Sequence, residues 1–298
     1  MNNFFKAVFV FLLTVTFFSC LEQKKIVSAL QSANQLYYER DYNAALENYS
    51  QVIDYYVNKG QQPSGELLSA AGKCHYYLGS KQRAMEYFKS AKEHDFADEQ
   101  TTLLMIQYYE SVDDTAMIIK CLEDYASDYP SGEEIASVRE KIFLKYFELK
   151  DYRKCFYAFN SLLSETTDKI DILEKYYTAA KNFGNVKKAE ETAQKLYNRD
   201  PNNLIGLSFM AQKTFHEVED EYQEALKVYN AKKNNTTLKV FKKKQEELKP
   251  KYTLAKAYYT RLYKLYGRKE DAADLSVISL RLNEKKNSDY YLKLSKKK

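Results

Sequence analysis

The chain has no tryptophan, and its 298 residues include only 4 prolines, 8 glycines, 4 cysteines and 3 histidines. So few turn-forming residues exclude a β-rich protein, which needs Gly and Pro at its many tight reversals. His75, His94 and His216 lie far apart, and there is no H-E-x-x-H, G-x-S-x-G, Walker loop or G-x-G-x-x-G. The motifs of zinc proteases, serine hydrolases and nucleotide-binding enzymes are therefore missing. His216, Glu217 and Glu219 come nearest to a metal set. On a helix, however, His216 and Glu219 are merely one turn apart in an acidic stretch, as on a salt-bridged surface. Cys74, Cys121 and Cys155 fall among apolar neighbours without any C-x-x-C, the pattern of small buried hydrophobes. The net charge of +5 is modest and its lysines are interspersed with acids, which excludes the dense basic face of a nucleic-acid binder. The chain reads as a non-enzyme with no cofactor and no metal.

Tyrosine is abundant, at 28 residues, and it suits helix surfaces that are half buried. Leu173–Asn203 shows why it is needed. Gly184-Asn185 marks a turn, Ala189 and Ala193 lie one helical turn apart, and Asp200-Pro201 stops the second helix, which together predict two antiparallel helices. The pattern recurs. Ala45, Ala84, Cys155, Ala189, Ala225 and Ala272 occupy the same small-residue position of successive second helices, and Cys155 to Ala189 spans 34 residues. Between Ala84 and Cys155 a degenerate unit fits, with Asp113-Asp114 at its turn and Pro130 at its stop. Arg40-Asp41-Tyr42, Lys150-Asp151-Tyr152, Gly79 and Gly267 each precede a second helix. Apolar stripes follow, such as Tyr42, Ala45, Tyr49 and Val52, where the small residue lets helix backbones approach.

That order of Gly, a small residue and then Pro at a 34-residue period resembles the tetratricopeptide repeat. The resemblance implies an all-α, right-handed superhelical solenoid of about six to seven helical hairpins, whose first helices line a groove that holds a peptide or helix. Carried onto this sequence, the groove positions of the first two repeats are Val27, Leu30, Asn34, Tyr37 and Tyr38, then Glu66, Ser69, Lys73, Tyr76 and Tyr77. Lys181 and Asn182, and Arg261 and Lys264, take such positions later. The carboxylate clamp of the family is incomplete, because Leu30 replaces its cation beside Asn34.

The first residues form an address. A cation at Lys6, an apolar run from Ala7 to Phe18, and Ser19-Cys20 before polar Glu22-Gln23-Lys24-Lys25 resemble a bacterial lipoprotein signal. The run is too short to span a membrane. This implies a signal peptide over 1–19, lipidation at Cys20 and a linker over 20–27. By analogy with enteric-type sorting, Leu21 implies the outer membrane, with the protein facing the periplasm. The repeats are then expected over 28–233, a charged helical insertion over 234–251 with a boundary near Pro250, a final repeat over 252–283 and a frayed basic tail over 284–298. The implied partners are envelope proteins of unknown identity and the membrane itself. Two other functions stay open at this point: a surface-exposed glycan- or nutrient-binding lipoprotein, and a component of outer-membrane assembly or secretion machinery.

Overall fold

The computed structural model describes residues 22–296, and within them every regular element is helical. Helix α1 spans 22–38. It is followed by α2 (Tyr42–Asn58), α3 (Gly65–Tyr77), α4 (Lys81–Glu93), α5 (Glu99–Ser111), α6 (Thr115–Asp128) and α7 (Ile135–Glu148). Next come α8 (Tyr152–Ala158), a short 3-10 turn (Phe159–Ser161) and α9 (Ser164–Thr167). The chain continues with α10 (Ile170–Phe183), α11 (Val186–Arg199), α12 (Leu204–Ala231), α13 (Asn235–Tyr266), α14 (Lys269–Arg281) and α15 (Lys285–Ser295). Two compact units divide the chain within α7, one ending at Ile142 and the other starting at Phe143.

One local device makes the hairpins. At each of six turns a residue adopts the left-handed conformation: Arg40, Gly79, Asp113, Lys150, Gly184 and Asn283, with φ between 55° and 86°. The amide of the next residue then donates to the carbonyl five positions back, as in Asp41 to Leu36 (2.9 Å), Asp151 to Tyr146 (3.0 Å) and Asn185 to Ala180 (2.8 Å). That bond closes the first helix and reverses the chain. The donating residue also starts the second helix. Asp41, Asp114, Asp151 and Asn185 each accept, through the side chain, the amide three residues on. The Gly or basic residue followed by Asp or Asn that recurs in the sequence is therefore a C-cap and an N-cap joined.

Small residues hold the crossings. Ala45, Ala84, Cys155 and Ala272 are fully buried and Ala189 is nearly so, each facing a neighbouring helix. Around them the first unit builds two clusters. One joins Ala33, Tyr49, Val52, Ala71 and Cys74, and the other joins Phe88, Ile106, Ile118, Leu122 and Tyr125. In the second unit Leu207, Phe215, Tyr252, Tyr259, Leu275 and Ile278 form the core shared by α12, α13 and α14. An ion pair is set into that core: Arg281 donates to both oxygens of Glu219, at 2.5 and 3.1 Å, and Tyr252 donates to the same carboxylate at 2.7 Å. Burial alone would raise the Glu219 carboxyl, but these donors outweigh it and hold it below the usual range.

Five expectations are corrected. The stretch expected as a linker is helical from residue 22, and Glu22 pairs with Lys59 at 2.9 Å. The second helix of the Cys155 hairpin is only 7 residues long and gives way to the 3-10 turn. Ala225 does not open a separate second helix, because Leu204–Ala231 is one continuous helix of 28 residues. Nor does Pro250 mark a boundary: Asn235–Tyr266 runs unbroken for 32 residues with Pro250 inside it. Leu248, Tyr252 and Ala255 are buried on one face across the proline, and that packing carries the helix through. The segment Asn234–Thr237 does break the chain, but as a capping box that starts α13. Finally, the tail is not frayed through Ser295. It folds as α15, with Ser288 buried and bonded to Ser276 of α14.

Two substitutions check these packing assignments. A Cβ on Gly206 would lie 2.4 Å from the Tyr197 backbone nitrogen and 2.7 Å from its Cα. Backbone cannot give way there, so Gly206→Ala should cost about 2 kcal/mol in urea unfolding; an unchanged midpoint would contradict the close approach of α11 and α12. Pro250→Ala restores an amide donor to the middle of α13. A relief of about 3 kcal/mol against about 1 kcal/mol of lost chain stiffness should raise stability by about 2 kcal/mol, whereas a lower melting temperature would show that the proline is not helical.

Candidate functional site

The first helices of the amino-terminal unit, α1, α3 and α5, bring a set of aromatic and amide side chains together. Tyr37 and Tyr76 each lie three residues before the left-handed residue of their turn, so they occupy the same place on successive hairpins. The Tyr37 hydroxyl donates to Gln100 Oε1 at 3.2 Å, Gln100 Nε2 donates to the Tyr77 hydroxyl at 2.9 Å, and Tyr76 donates to Gln107 Oε1 at 3.2 Å. The Tyr77 ring stacks on Tyr42 at 4.7 Å, and Tyr37 meets Tyr42 edge-on at 5.6 Å. Burial pushes the Tyr37 and Tyr76 phenols above their ordinary range, so both remain neutral donors.

Beside this cluster Lys73 pairs with Asp98, and the Lys73 side chain is only 12% exposed. Asp98 also caps α5, accepting the Thr101 amide at 2.7 Å. Burial would raise the Asp98 carboxyl, yet the Lys73 and Thr101 hydrogen bonds prevail and keep it below the usual carboxylate range. A hollow of about 380 Å³ opens here, lined by Lys73, Asp98, Glu99, Gln100, Leu103 and the acidic pair Glu133-Glu134. Its walls carry more carboxylates than cations.

The groove residues read from the sequence divide into three groups. Tyr38 and Tyr77 are 83% and 41% exposed and offer ring surface to a ligand. Tyr37, Tyr76 and Lys73 are half-buried and committed to partners within the unit. Asn34 accepts the Tyr49 hydroxyl at 2.7 Å, so its amide oxygen serves hairpin packing. Ser69, also a groove position by resemblance, is 1% exposed and bonded to Thr101 at 2.7 Å, which removes it from the surface.

The remaining four residues belong to the carboxyl-terminal unit and share no hydrogen-bonding partner there. Lys181 lies over the Tyr177 ring at 5.9 Å, and Asn182 donates to the Thr178 carbonyl of its own helix at 2.8 Å. Arg261 donates to Asn202 Oδ1 at 2.7 Å, and Lys264 is exposed. The sequence reading missed Gln100 and Gln107, and it placed Tyr42 only in a packing stripe. Counting back from Asp113, the left-handed residue of the third turn, places Gln100 and Gln107 in register with Val27 and Asn34 before Arg40. The degenerate look of that repeat hid the register.

The Glu219 carboxylate, one helical turn from His216, accepts from Arg281, Tyr252 and Gln223. Burial pushes the thiols of Cys74, Cys121 and Cys155 up to about 12, about 11 and about 12, so they stay protonated. Cys20 and the apolar run before it lie outside the described residues. No helix of the described residues is long and apolar enough to cross a membrane.

No protein-family model matches the chain, and no curated protein matches it either. Among solved structures it is similar to YrrB, described as a TPR protein with an unusual peptide-binding site, at 13% identity over 64% of this chain and 96% of that one, with a TM-score of 0.42. It is also similar to a tetratricopeptide repeat protein from Parabacteroides merdae ATCC 43184, at 16% identity over 91% and 99% of the two chains, with a TM-score of 0.40. A third is the C-terminal part of a TPR repeat-containing protein from Cytophaga hutchinsonii, at 13% identity over 89% and 93%, with a TM-score of 0.40. What the structure itself shows is an all-α array of antiparallel helix pairs that turn on a left-handed residue and cross on small residues, a tetratricopeptide-like fold.

Proposed function

We propose that this protein is a non-catalytic scaffold that holds partner proteins at a bacterial cell envelope, tethered to the outer membrane through a lipid on Cys20 and facing the periplasm. The observation that carries the reading is the first-helix face of the amino-terminal unit. There the rings of Tyr38 and Tyr77 are exposed, Tyr77 is bonded to the Gln100 amide, and Gln100 lines an acidic hollow. Tyrosine supplies large contact area with few rotamers to freeze, and amides orient a peptide backbone. The occupant that fits is a peptide or helix with an apolar anchor and a lysine or arginine for the Glu99 and Glu133-Glu134 carboxylates. A sugar-binding role is less favoured, because one face of Tyr77 is already covered by Tyr42.

Two experiments test this. Tyr38→Ala should leave circular dichroism and the melting midpoint native, while weakening crosslinking of an envelope partner to this face in cells. Each anchor contributes about 1–3 kcal/mol. Undiminished crosslinking would remove the site. Tyr37→Ala, by contrast, should melt lower, since it loses both Tyr42 and Gln100. For the anchor, Cys20→Ala should move the protein from the membrane to the soluble fraction, and the native amino terminus should carry an acyl mass. Membrane association unchanged by the substitution, with no acyl mass, would rule the lipid out.

A further inference from the structure

Lysines and acids are interspersed along the chain only as far as residue 284. Residues 285–298 hold six lysines against one aspartate, a net +5 equal to that of the whole chain, so the residues before them balance to zero. The lysines up to Lys296 lie on α15 or directly after it, and the two sides of that helix differ. One side is spent on packing. Ser288 is buried against Ser276 of α14, and Tyr291 meets Tyr263 of α13 edge-on at 6.2 Å.

The other side faces solvent. At about 100° per residue, Lys285, Lys286, Lys293 and Lys296 fall within one arc of about 100°, with Asp289 as its sole acid. All five are exposed. Leu292 borders the arc on one edge and Tyr290 on the other, at 42% and 58% exposure. Lys256 takes Glu284 at the start of the helix, and among the described residues none of the four lysines has an acidic partner within ion-pair distance.

We infer that this face of α15 docks on the anionic surface of a phospholipid bilayer, with its lysines over the headgroup phosphates and Tyr290 and Leu292 at the edge of the acyl region. Charge complementarity selects an anionic partner, and the residue types select its form. Every cation of the segment is a lysine. A carboxylate or phosphate held in one fixed place is matched best by the planar fork of arginine, which bonds two oxygens at once. Lysine is a point charge on a flexible stem, and it follows headgroups that move. A tyrosine ring with a polar tip sits well at the boundary between headgroup and acyl chain. An acidic protein surface offers fixed carboxylates and no such boundary, and is disfavoured for both reasons.

Residues 22–298 contain every described helix but neither Cys20 nor the apolar run before it, so their binding reports α15 apart from any lipid anchor. In flotation they should bind phosphatidylglycerol vesicles at low ionic strength, leave them as salt is raised, and ignore phosphatidylcholine vesicles. Lys286→Gln with Lys293→Gln alters two exposed side chains, so it should melt as wild type while weakening vesicle binding by about 30-fold, roughly fivefold for each lysine. Because the chain has no tryptophan, Tyr290→Trp supplies a single reporter. Its emission should shift to the blue with phosphatidylglycerol vesicles and stay unchanged with polyglutamate. The proposal is overturned by no binding to phosphatidylglycerol, by equal binding to phosphatidylcholine, or by equal binding of the lysine variant. It is also overturned by emission that does not move on the vesicles, or by capture of polyglutamate through the same lysines in preference to vesicles.

Discussion

No hairpin in this protein can hide its own apolar face. Two short antiparallel helices bury one seam between them and leave the outer stripe exposed, so each hairpin is stable only when the next one covers it. That dependence explains the small residues at Ala45, Ala84, Cys155, Ala189 and Ala272, where helices must come close to bury enough surface. It also explains the tyrosines, whose rings fill seams while their hydroxyls reach polar partners at the edge, as Tyr49 reaches Asn34 and Tyr252 reaches Glu219.

The same dependence fixes what is left over for recognition. A side chain on the first helices that is not consumed by the next hairpin is free for another molecule, and the amino-terminal unit shows both fates within one motif. Tyr37 and Tyr76 are consumed by Gln100 and Gln107. Tyr38, next in sequence but rotated by about 100° on the helix, projects away. Position in a repeat is therefore insufficient to assign a binding role, because the neighbouring repeat decides which of two adjacent rings is structural.

The hairpins were legible in the sequence wherever a turn and its cap were written in adjacent residues, as at Arg40-Asp41, Lys150-Asp151 and Gly184-Asn185. Such signals are local, and the chain obeys them locally. What was not legible depended on tertiary packing. Pro250 carries a genuine helix-stopping signal, and the buried face of Leu248, Tyr252 and Ala255 overrides it. The lysine-rich end resembles a frayed tail in composition, yet Ser288 finds a buried partner on α14. In the candidate site the tyrosines were visible as a repeated pair, but their partners on α5 were not, because nothing in the composition of Glu99–Ser111 marks Gln100 and Gln107 as belonging with them.

The shortened helix α8 bears on how far cooperativity extends. In a linear array, unfolding propagates only as far as each link is stable enough to transmit it. Seven residues make two turns, well below the length at which a helix stands without help, and the 3-10 turn after it adds little. The segment relies on the stacking of Phe159 and Phe156 on Tyr176. Its amides are therefore expected to open by local fluctuation more readily than those of the longer helices beside it.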